Sequence, residues 1–198
     1  MNLIAPDIIH DILEALDRQI GVHGGVSLGL VVCGGTALSA LGLVMRTTKD
    51  MDVLGSVSET QNRVIIQSIK KFPEWLVEAA NRVGRDFDLP ERWLNLGPAS
   101  QVESGLPEGF DKRLVKKAYG QYLTIYFISR LDQIHFKLYA SVDQDGYHVH
   151  DLFALKPTEN EMEMAAKWVL TQDVSEMFKA LVKDFLEIHN YGDTAKRI

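Results

Sequence analysis

Two short stretches near the amino-terminal end decide the fold: GGTAL at residues 34–38 and RTTKDMDVL at residues 46–54. The first stretch follows an apolar run, Leu28 to Cys33, which is typical of a central buried strand. The glycine pair then predicts a turn, with a short helix from Thr36 to Leu43. The second stretch predicts another strand, from Met51 to Leu54. The chain therefore opens with a strand, a glycine turn, a helix and a second strand.

The second of these strands carries two carboxylates. Because alternate residues of a strand share a face, Asp50 and Asp52 point the same way, about 7 Å apart. Carboxylates suit Mg²⁺, and backbone N–H groups at a glycine turn suit phosphate. Gly34-Gly35 alone is also typical of a plain turn, and Asp50-x-Asp52 alone of a solvated strand end. Their combination predicts a Mg²⁺-dependent phosphoryl or nucleotidyl transfer site.

Composition limits the class of protein. The chain has 198 residues, of which 46% are hydrophobic and 24% charged, as in an ordinary globular domain. Its net charge of −6 argues against a general affinity for nucleic acid. The basic clusters at Lys70-Lys71 and at Lys112-Arg113 with Lys116-Lys117 are typical of solvated helix faces, although a small patch of that kind can hold a tRNA end.

Cys33 is the single cysteine, so no disulfide can form within the chain. That favours a reducing compartment, and we expect a cytoplasmic protein. Cys33 itself ends an apolar run and is expected to be a small buried side chain. No apolar run reaches the roughly 18 residues of a membrane span, so we expect no membrane partner.

The rest of the pattern predicts an α+β fold, with a core that has a small mixed β-sheet flanked by helices, followed by a helical C-terminal half. One domain is expected over 1–198, with the core at about 22–130 and the helical part at about 131–198. A long excursion is expected over 84–111, and a later strand over 119–128. Helices are predicted from Pro6 to near Gly21 and over 62–72, 74–83, 131–142, 158–170 and 175–190, and a short helix or turn is predicted over 148–155.

The order of these motifs resembles a known superfamily. A glycine pair, a helix and then Asp-x-Asp on a strand is the layout of the polymerase-β-like nucleotidyltransferases. GGTAL followed by Arg46-x-Thr48-x-Asp50-x-Asp52 is similar to the branch that contains the AbiEii-type toxins and related uncharacterised proteins. Later blocks also resemble that branch, in the same order over about 28–155. They are Trp93-Leu94-Asn95, the segment Ser129 to Ile134, Lys137-Leu138-x-Ala140 and Asp151-Leu152.

This resemblance implies a site and its ligands. Gly34, Gly35 and Thr36 would cradle the phosphates of an NTP, and Asp50 and Asp52 would bind Mg²⁺. The residues implied for the rest of the site are Arg46 and Thr48 near the phosphates, Lys137 facing the triphosphate or substrate, and Asp151 supporting it. The implied activity moves an NMP group from an NTP to a protein or RNA hydroxyl, such as one on a tRNA. An antitoxin protein is the implied partner if the chain is a toxin.

The sequence departs from the superfamily pattern at one point. Active members usually carry a third carboxylate on a later strand, and here that strand, Tyr122 to Phe127, has no acid. Tyr147 and His148 also stand where the toxin branch commonly has a basic residue and an acid. The alternative function is therefore a binding or regulatory module that keeps the fold without catalysis.

Several residues allow a second interpretation. Lys137 lies on an otherwise apolar helix and is equally typical of a lysine that snorkels to solvent. Asp151 can instead cap a helix or pair with Lys137. Trp93 fits a packing role better than a base-stacking one. His148-x-His150-Asp151 includes the dyad of metal-dependent phosphohydrolases, but the further ligands of that class lack suitable spacing.

Overall fold

The computed structural model of the chain describes residues 3–60, 63–144 and 146–198. The chain divides into two compact units, the first running to Ser129 and the second from Arg130 to Ile198. The strands of the first unit are β1 (Leu28–Cys33), β2 (Met51–Thr60), β3 (Arg63–Gln67), β4 (Leu94–Asn95), β5 (Val115–Ala118) and β6 (Leu123–Phe127). Its helices are α1 (Ile9–Val22), α2 (Gly34–Ala40), α3 (Glu74–Asp86), α4 (Gln101–Ser104) and α5 (Phe110–Arg113), preceded by a 3₁₀ turn at Pro6–Ile8.

The strands of the first unit form one mixed, open sheet. Within the described residues its order is β3-β2-β1-β6-β5, and the short β4 also pairs with β2. β1 lies at the centre, antiparallel to β2 and parallel to β6. Leu30, Val31 and Val32 of β1 are fully buried, as expected for a strand covered on both faces. The predicted central strand and the predicted α+β class are both confirmed.

The core of the first unit forms between this sheet and two helices. α1 buries Ile12, Leu13, Leu16 and Ile20, which recur at helical spacing on one face. α3 packs against α1 and contributes Leu76, Ala79 and Val83 to the same hydrophobic cluster. The predicted first helix is confirmed. α2 begins at Gly34, so the short helix predicted after the glycine pair includes the pair itself.

One predicted helix is wrong. The helix expected over 62–72 is instead β3, which pairs antiparallel with an extended β2 that runs on to Thr60; Asn62 lies outside the described residues. Along β3, Val64 and Ile66 are half-buried while the residues between them are exposed, which is the period of a strand. The spacing of Val64, Ile65 and Ile69 also fits a helix. The backbone partner offered by β2 favours the strand, to which β-branched residues are suited.

The excursion predicted over 84–111 contains regular structure. β4 interrupts it, and the short helices α4 and α5 follow. Trp93 is 3% exposed, and its indole N–H donates to the carbonyl of Ala80 on α3 at 2.9 Å. The packing role predicted for Trp93 is therefore confirmed.

A buried carboxylate joins α1 to the sheet. Asp17 is 6% exposed, and its Oδ1 accepts hydrogen bonds from the backbone N–H groups of Tyr122 and Leu123, both at 2.7 Å. A Cβ on Gly120 would collide with this carboxylate, so only glycine fits there. Asp17 thus satisfies two backbone donors where β6 begins.

We expect Asp17→Ala to lower the free energy of unfolding by about 3 kcal/mol, because two buried N–H groups lose their acceptor. Glu14→Ala, an exposed position on the same helix, is the matched control and should change it by less than about 0.5 kcal/mol. Urea unfolding followed by circular dichroism measures both. Equal stability of the two variants would contradict the structural role of Asp17.

The second unit is helical. It contains α6 (Arg130–Gln144), α7 (Tyr147–Ala154), α8 (Glu159–Gln172), α9 (Glu176–Ile188) and α10 (Gly192–Arg197). The capping box predicted at the start of α8 is confirmed, with Thr158 and Glu161 exchanging hydrogen bonds. Arg130 also donates to both carboxylate oxygens of Glu161, at 2.6 and 3.2 Å. None of the helices in the described residues combines the length and apolar character needed to cross a membrane.

Candidate active site

The turn between β1 and α2 depends on the first glycine of the pair. Gly34 has φ +69°, a left-handed conformation that costs little only for glycine. It also faces a carboxylate, because a Cβ at Gly34 would lie 2.5 Å from Oδ2 of Asp52. The glycine therefore keeps the space beside Asp52 open.

The two predicted carboxylates flank the first residue of β2: Asp50 directly precedes the strand, and Asp52 is its second residue. Met51 and Val53 are fully buried, whereas Asp50 and Asp52 are only half-buried. The antiparallel register pairs Asp52 with Cys33 on β1, next to the glycine turn. Strand alternation and sheet pairing together hold the Asp52 carboxylate against the start of α2.

Two buried threonine hydroxyls fix the backbone at Asp50. Thr36 is 1% exposed and donates to the carbonyl oxygen of Asp50 at 2.7 Å. Thr48 is 6% exposed; its hydroxyl donates to the same carbonyl at 3.3 Å and lies 3.5 Å from Oδ1 of Asp50. The hydroxyl proton of Thr36 is thus used inside the protein, and α2 has no side-chain cap at Cys33. Both threonines position the residue that bears the carboxylate.

Arg46 and Thr48 lie over the second glycine. A Cβ at Gly35 would be 2.8 Å from the Thr48 hydroxyl and 2.9 Å from Nη2 of Arg46. Nη1 of Arg46 donates to the carbonyl of Thr47 at 2.9 Å, which holds the guanidinium along the segment before β2. The positive charge of Arg46 therefore lies beside the start of α2.

A residue not predicted for the site stands next to Asp52. β4 pairs parallel with β2, and the register places Asn95 opposite Asp52. Oδ1 of Asn95 accepts a hydrogen bond from the backbone N–H of Gly97 at 2.7 Å. Asn95 belongs to the Trp93-Leu94-Asn95 block, so the resemblance marked the segment. Nothing in its spacing indicated that it would pair with β2.

Lys137 and Asp151 form a buried ion pair in the second unit. Nζ of Lys137 lies 2.7 Å from Oδ2 of Asp151, and the side chains are 5% and 0% exposed. Nδ1 of His148 is 3.5 Å from the ammonium, and the Tyr147 ring lies 5.5 Å from it. Lys137 therefore does not snorkel to solvent. Its pairing with Asp151, one of the predicted alternatives, is present.

The predicted site residues thus form two groups, one within each unit. Gly34, Gly35, Thr36, Arg46, Thr48, Asp50 and Asp52 meet in the first unit, and Lys137 and Asp151 meet in the second. Among residues 3–60, 63–144 and 146–198 there is no group of three or more His, Cys, Asp or Glu side chains suited to a metal ion. No phosphohydrolase centre is therefore found around His150 in the described part of the chain.

The Gly34 position offers a matched test. Gly42 has φ +66° but no atom within 4 Å of an added Cβ, so Gly42→Ala carries only backbone strain, about 1 to 2 kcal/mol. Gly34→Ala carries similar strain and also displaces the Asp52 carboxylate. We expect similar losses of stability, but a divalent-cation affinity lower by about tenfold in Gly34→Ala alone. Calorimetry with Mn²⁺ measures the affinity; equal affinities would contradict the contact with Asp52.

One comparison with known proteins gave a match. A family model described as a nucleotidyltransferase of unknown function (DUF6036) matches residues 10–185, which include both groups of predicted site residues. Neither curated proteins nor solved structures gave a significant match. The glycine turn, the two aspartates and the Lys137–Asp151 pair all lie within the matched range. The chain belongs to the DUF6036 family of nucleotidyltransferases.

Proposed function

We propose that the protein transfers an NMP group from an NTP to a hydroxyl of a protein or RNA, with Mg²⁺ held by Asp50 and Asp52. The observation that carries the proposal is the Asp52 carboxylate facing Gly34, where a Cβ would fill the space. Carboxylate oxygens are the ligands that Mg²⁺ prefers, so the residues fit the ion. Bound there, Mg²⁺ would supply charge neutralisation at the phosphate oxygens.

The other residues of the first unit would bind and orient the nucleotide. Backbone N–H groups of Gly34 and Gly35 would donate to phosphate oxygens. Arg46, beside the start of α2, would add a positive charge that does not depend on pH. Thr36 and Thr48 would act through the Asp50 backbone rather than on the substrate.

In the second unit, we propose that Lys137 neutralises phosphate or substrate charge and that Asp151 positions its ammonium. The 2.7 Å separation of Nζ and Oδ2 supports the positioning role of Asp151. Tyr147 and His148 border the same ammonium. They stand where the related branch commonly has a basic residue and an acid.

The acceptor and the biological role rest on resemblance alone. The blocks shared with the AbiEii-type branch support a toxin role, with a protein or tRNA acceptor and an antitoxin partner. A binding or regulatory module that keeps the fold without catalysis is the second candidate. It is favoured by the finding that the described residues hold no third acid grouped with Asp50 and Asp52.

A thermal-shift screen of the four NTPs, each with and without Mg²⁺, tests the proposal. A ligand that binds only the folded protein raises Tm by mass action. We expect a Mg²⁺-dependent rise with at least one NTP, followed by label transfer from that NTP to an acceptor. A shift without turnover or transfer would favour the binding module. No shift with any NTP would contradict nucleotidyl transfer and favour the binding or regulatory module, with a protein as its partner.

A further inference from the structure

We propose that the side-chain amide oxygen of Asn95 is the third protein ligand of the metal ion, beside Asp50 and Asp52. This inference rests on the proposed function, because it concerns the ion of the same site. It assigns to a neutral amide on β4 the role in metal binding that a third carboxylate plays in related enzymes.

The position of β4 supports the assignment. β4 extends the sheet only beside the first two residues of β2, pairing Met51 with Leu94 and Asp52 with Asn95. Residues opposite each other on neighbouring strands project from the same face of the sheet. Met51 and Leu94 both face the core, with 0% and 7% exposure. Asp52 and Asn95 therefore share the opposite, half-buried face.

β4 is firmly held. The backbone N–H of Met51 donates to the carbonyl of Trp93 at 2.5 Å, and the buried Trp93 indole is bonded to Ala80 of α3. The strand is thus tied to β2 on one side and to a core helix on the other. A ligand on such a strand is preorganised, and binding a metal does not require a loop to become ordered.

The amide is oriented by the turn that follows β4. Its oxygen accepts the N–H of Gly97 at 2.7 Å. A Cβ built on Gly97 would lie 3.0 Å from this oxygen and 3.8 Å from Oδ1 of Asp52, so both oxygens border the same space. An amide oxygen has two lone pairs and can accept a hydrogen bond while ligating a cation.

A metal site made of two carboxylates and one amide affects the order in which the ion and the triphosphate bind. Two carboxylates and one amide give the site a formal charge of −2, whereas three carboxylates would give −3. Fewer charged ligands lower the affinity for a hard cation. We therefore expect the ion to bind weakly by itself and much more tightly together with the triphosphate, whose oxygens complete its coordination.

Binding of Tb³⁺ alone tests the ligand assignment without any turnover. Tb³⁺ is a hard cation that takes oxygen ligands, and its luminescence lifetimes in H₂O and D₂O report how many waters it keeps. We expect Asn95→Ala to weaken Tb³⁺ binding by about tenfold and to add about one bound water. Asn95→Asp should tighten binding by a similar factor with the water number unchanged. Asn81→Ala, an exposed position on α3, is the control.

Comparison of these variants distinguishes failure of the Asn95 assignment from failure of the whole metal site. If Asp50→Ala with Asp52→Ala abolishes Tb³⁺ binding while Asn95→Ala keeps both the affinity and the water number of wild type, the assignment of Asn95 alone is wrong. If wild type binds no better than that double variant, the proposed metal site is wrong and the assignment with it. Should Asn95→Ala fail to fold, Asn95→Asp decides, because its carboxylate still accepts from Gly97. An unchanged affinity there overturns the assignment.

Discussion

Replacing Asp50 and Asp52 together by alanine should abolish Mg²⁺-dependent use of the NTP while the protein remains folded. A bound metal ion contributes several kcal/mol of transition-state stabilisation, so we expect a loss of about a thousandfold or more. Neither carboxylate belongs to the hydrophobic core, and the backbone bonds from Thr36 and Thr48 to Asp50 do not involve its side chain. The effect should therefore appear in activity and metal binding rather than in Tm.

Asp86→Asn is the matched control for this loss. Asp86 lies on α3 in the same unit, and its carboxylate is exposed and paired with Arg82 at 3.1 Å. This substitution removes a carboxylate without touching the glycine turn. Labelled-nucleotide transfer and thermal unfolding would be measured for both proteins. Turnover at the wild-type rate in the double variant would rule out Asp50 and Asp52 as the metal ligands.

The largest loss of stability is expected from breaking the Lys137–Asp151 pair on one side only. Asp151→Ala leaves a buried ammonium without its carboxylate, and Lys137→Met leaves a buried carboxylate without its cation. Removing one member of a buried ion pair typically costs about 3 to 5 kcal/mol. Each single variant should therefore be strongly destabilised, as measured by urea unfolding of the helical signal.

The double variant Lys137→Met with Asp151→Leu separates structure from function. With both charges gone and apolar side chains in their place, most of the stability should return. Under the proposed function, its nucleotidyl transfer should remain lost although it folds. Lys196→Met is the control, because the Lys196–Asp193 pair is 76% exposed on both sides and should not affect unfolding measurably. A stable double variant with full activity would make the pair purely structural.

Local sequence determined the elements whose defining residues lie close together in the chain. The apolar run over 28–33 forms the central strand, and the glycine pair forms the turn, whose left-handed φ at Gly34 costs little for glycine. Thr158 and Glu161 cap α8 because the capping box needs only residues three apart. The AbiEii-type branch and the acceptor stay predictions that rest on resemblance, and the metal stays a prediction from the two carboxylates and the glycine turn.

Where two structures fit the same local pattern, tertiary pairing decided. Residues 63–67 suit either a helix or a strand by spacing, and β2 supplied the partner whose backbone groups made the strand the better choice. The pattern of residues 63–67 does not show this partner, because β2 pairs with them only after the chain has folded back on itself. The same reason explains why the helix predicted over 62–72 is wrong.

The sequence by itself determined the fold class, the glycine turn and the two aspartates at alternate positions, because each depends on neighbours along the chain. Only the tertiary structure decided that Asn95 lies beside Asp52 and that Lys137 is paired with Asp151 rather than extended to solvent. Both contacts join residues from separate elements. The strand register and the helix packing set the geometry of these contacts. Both depend on burial and hydrogen bonding throughout the unit rather than on neighbours along the chain.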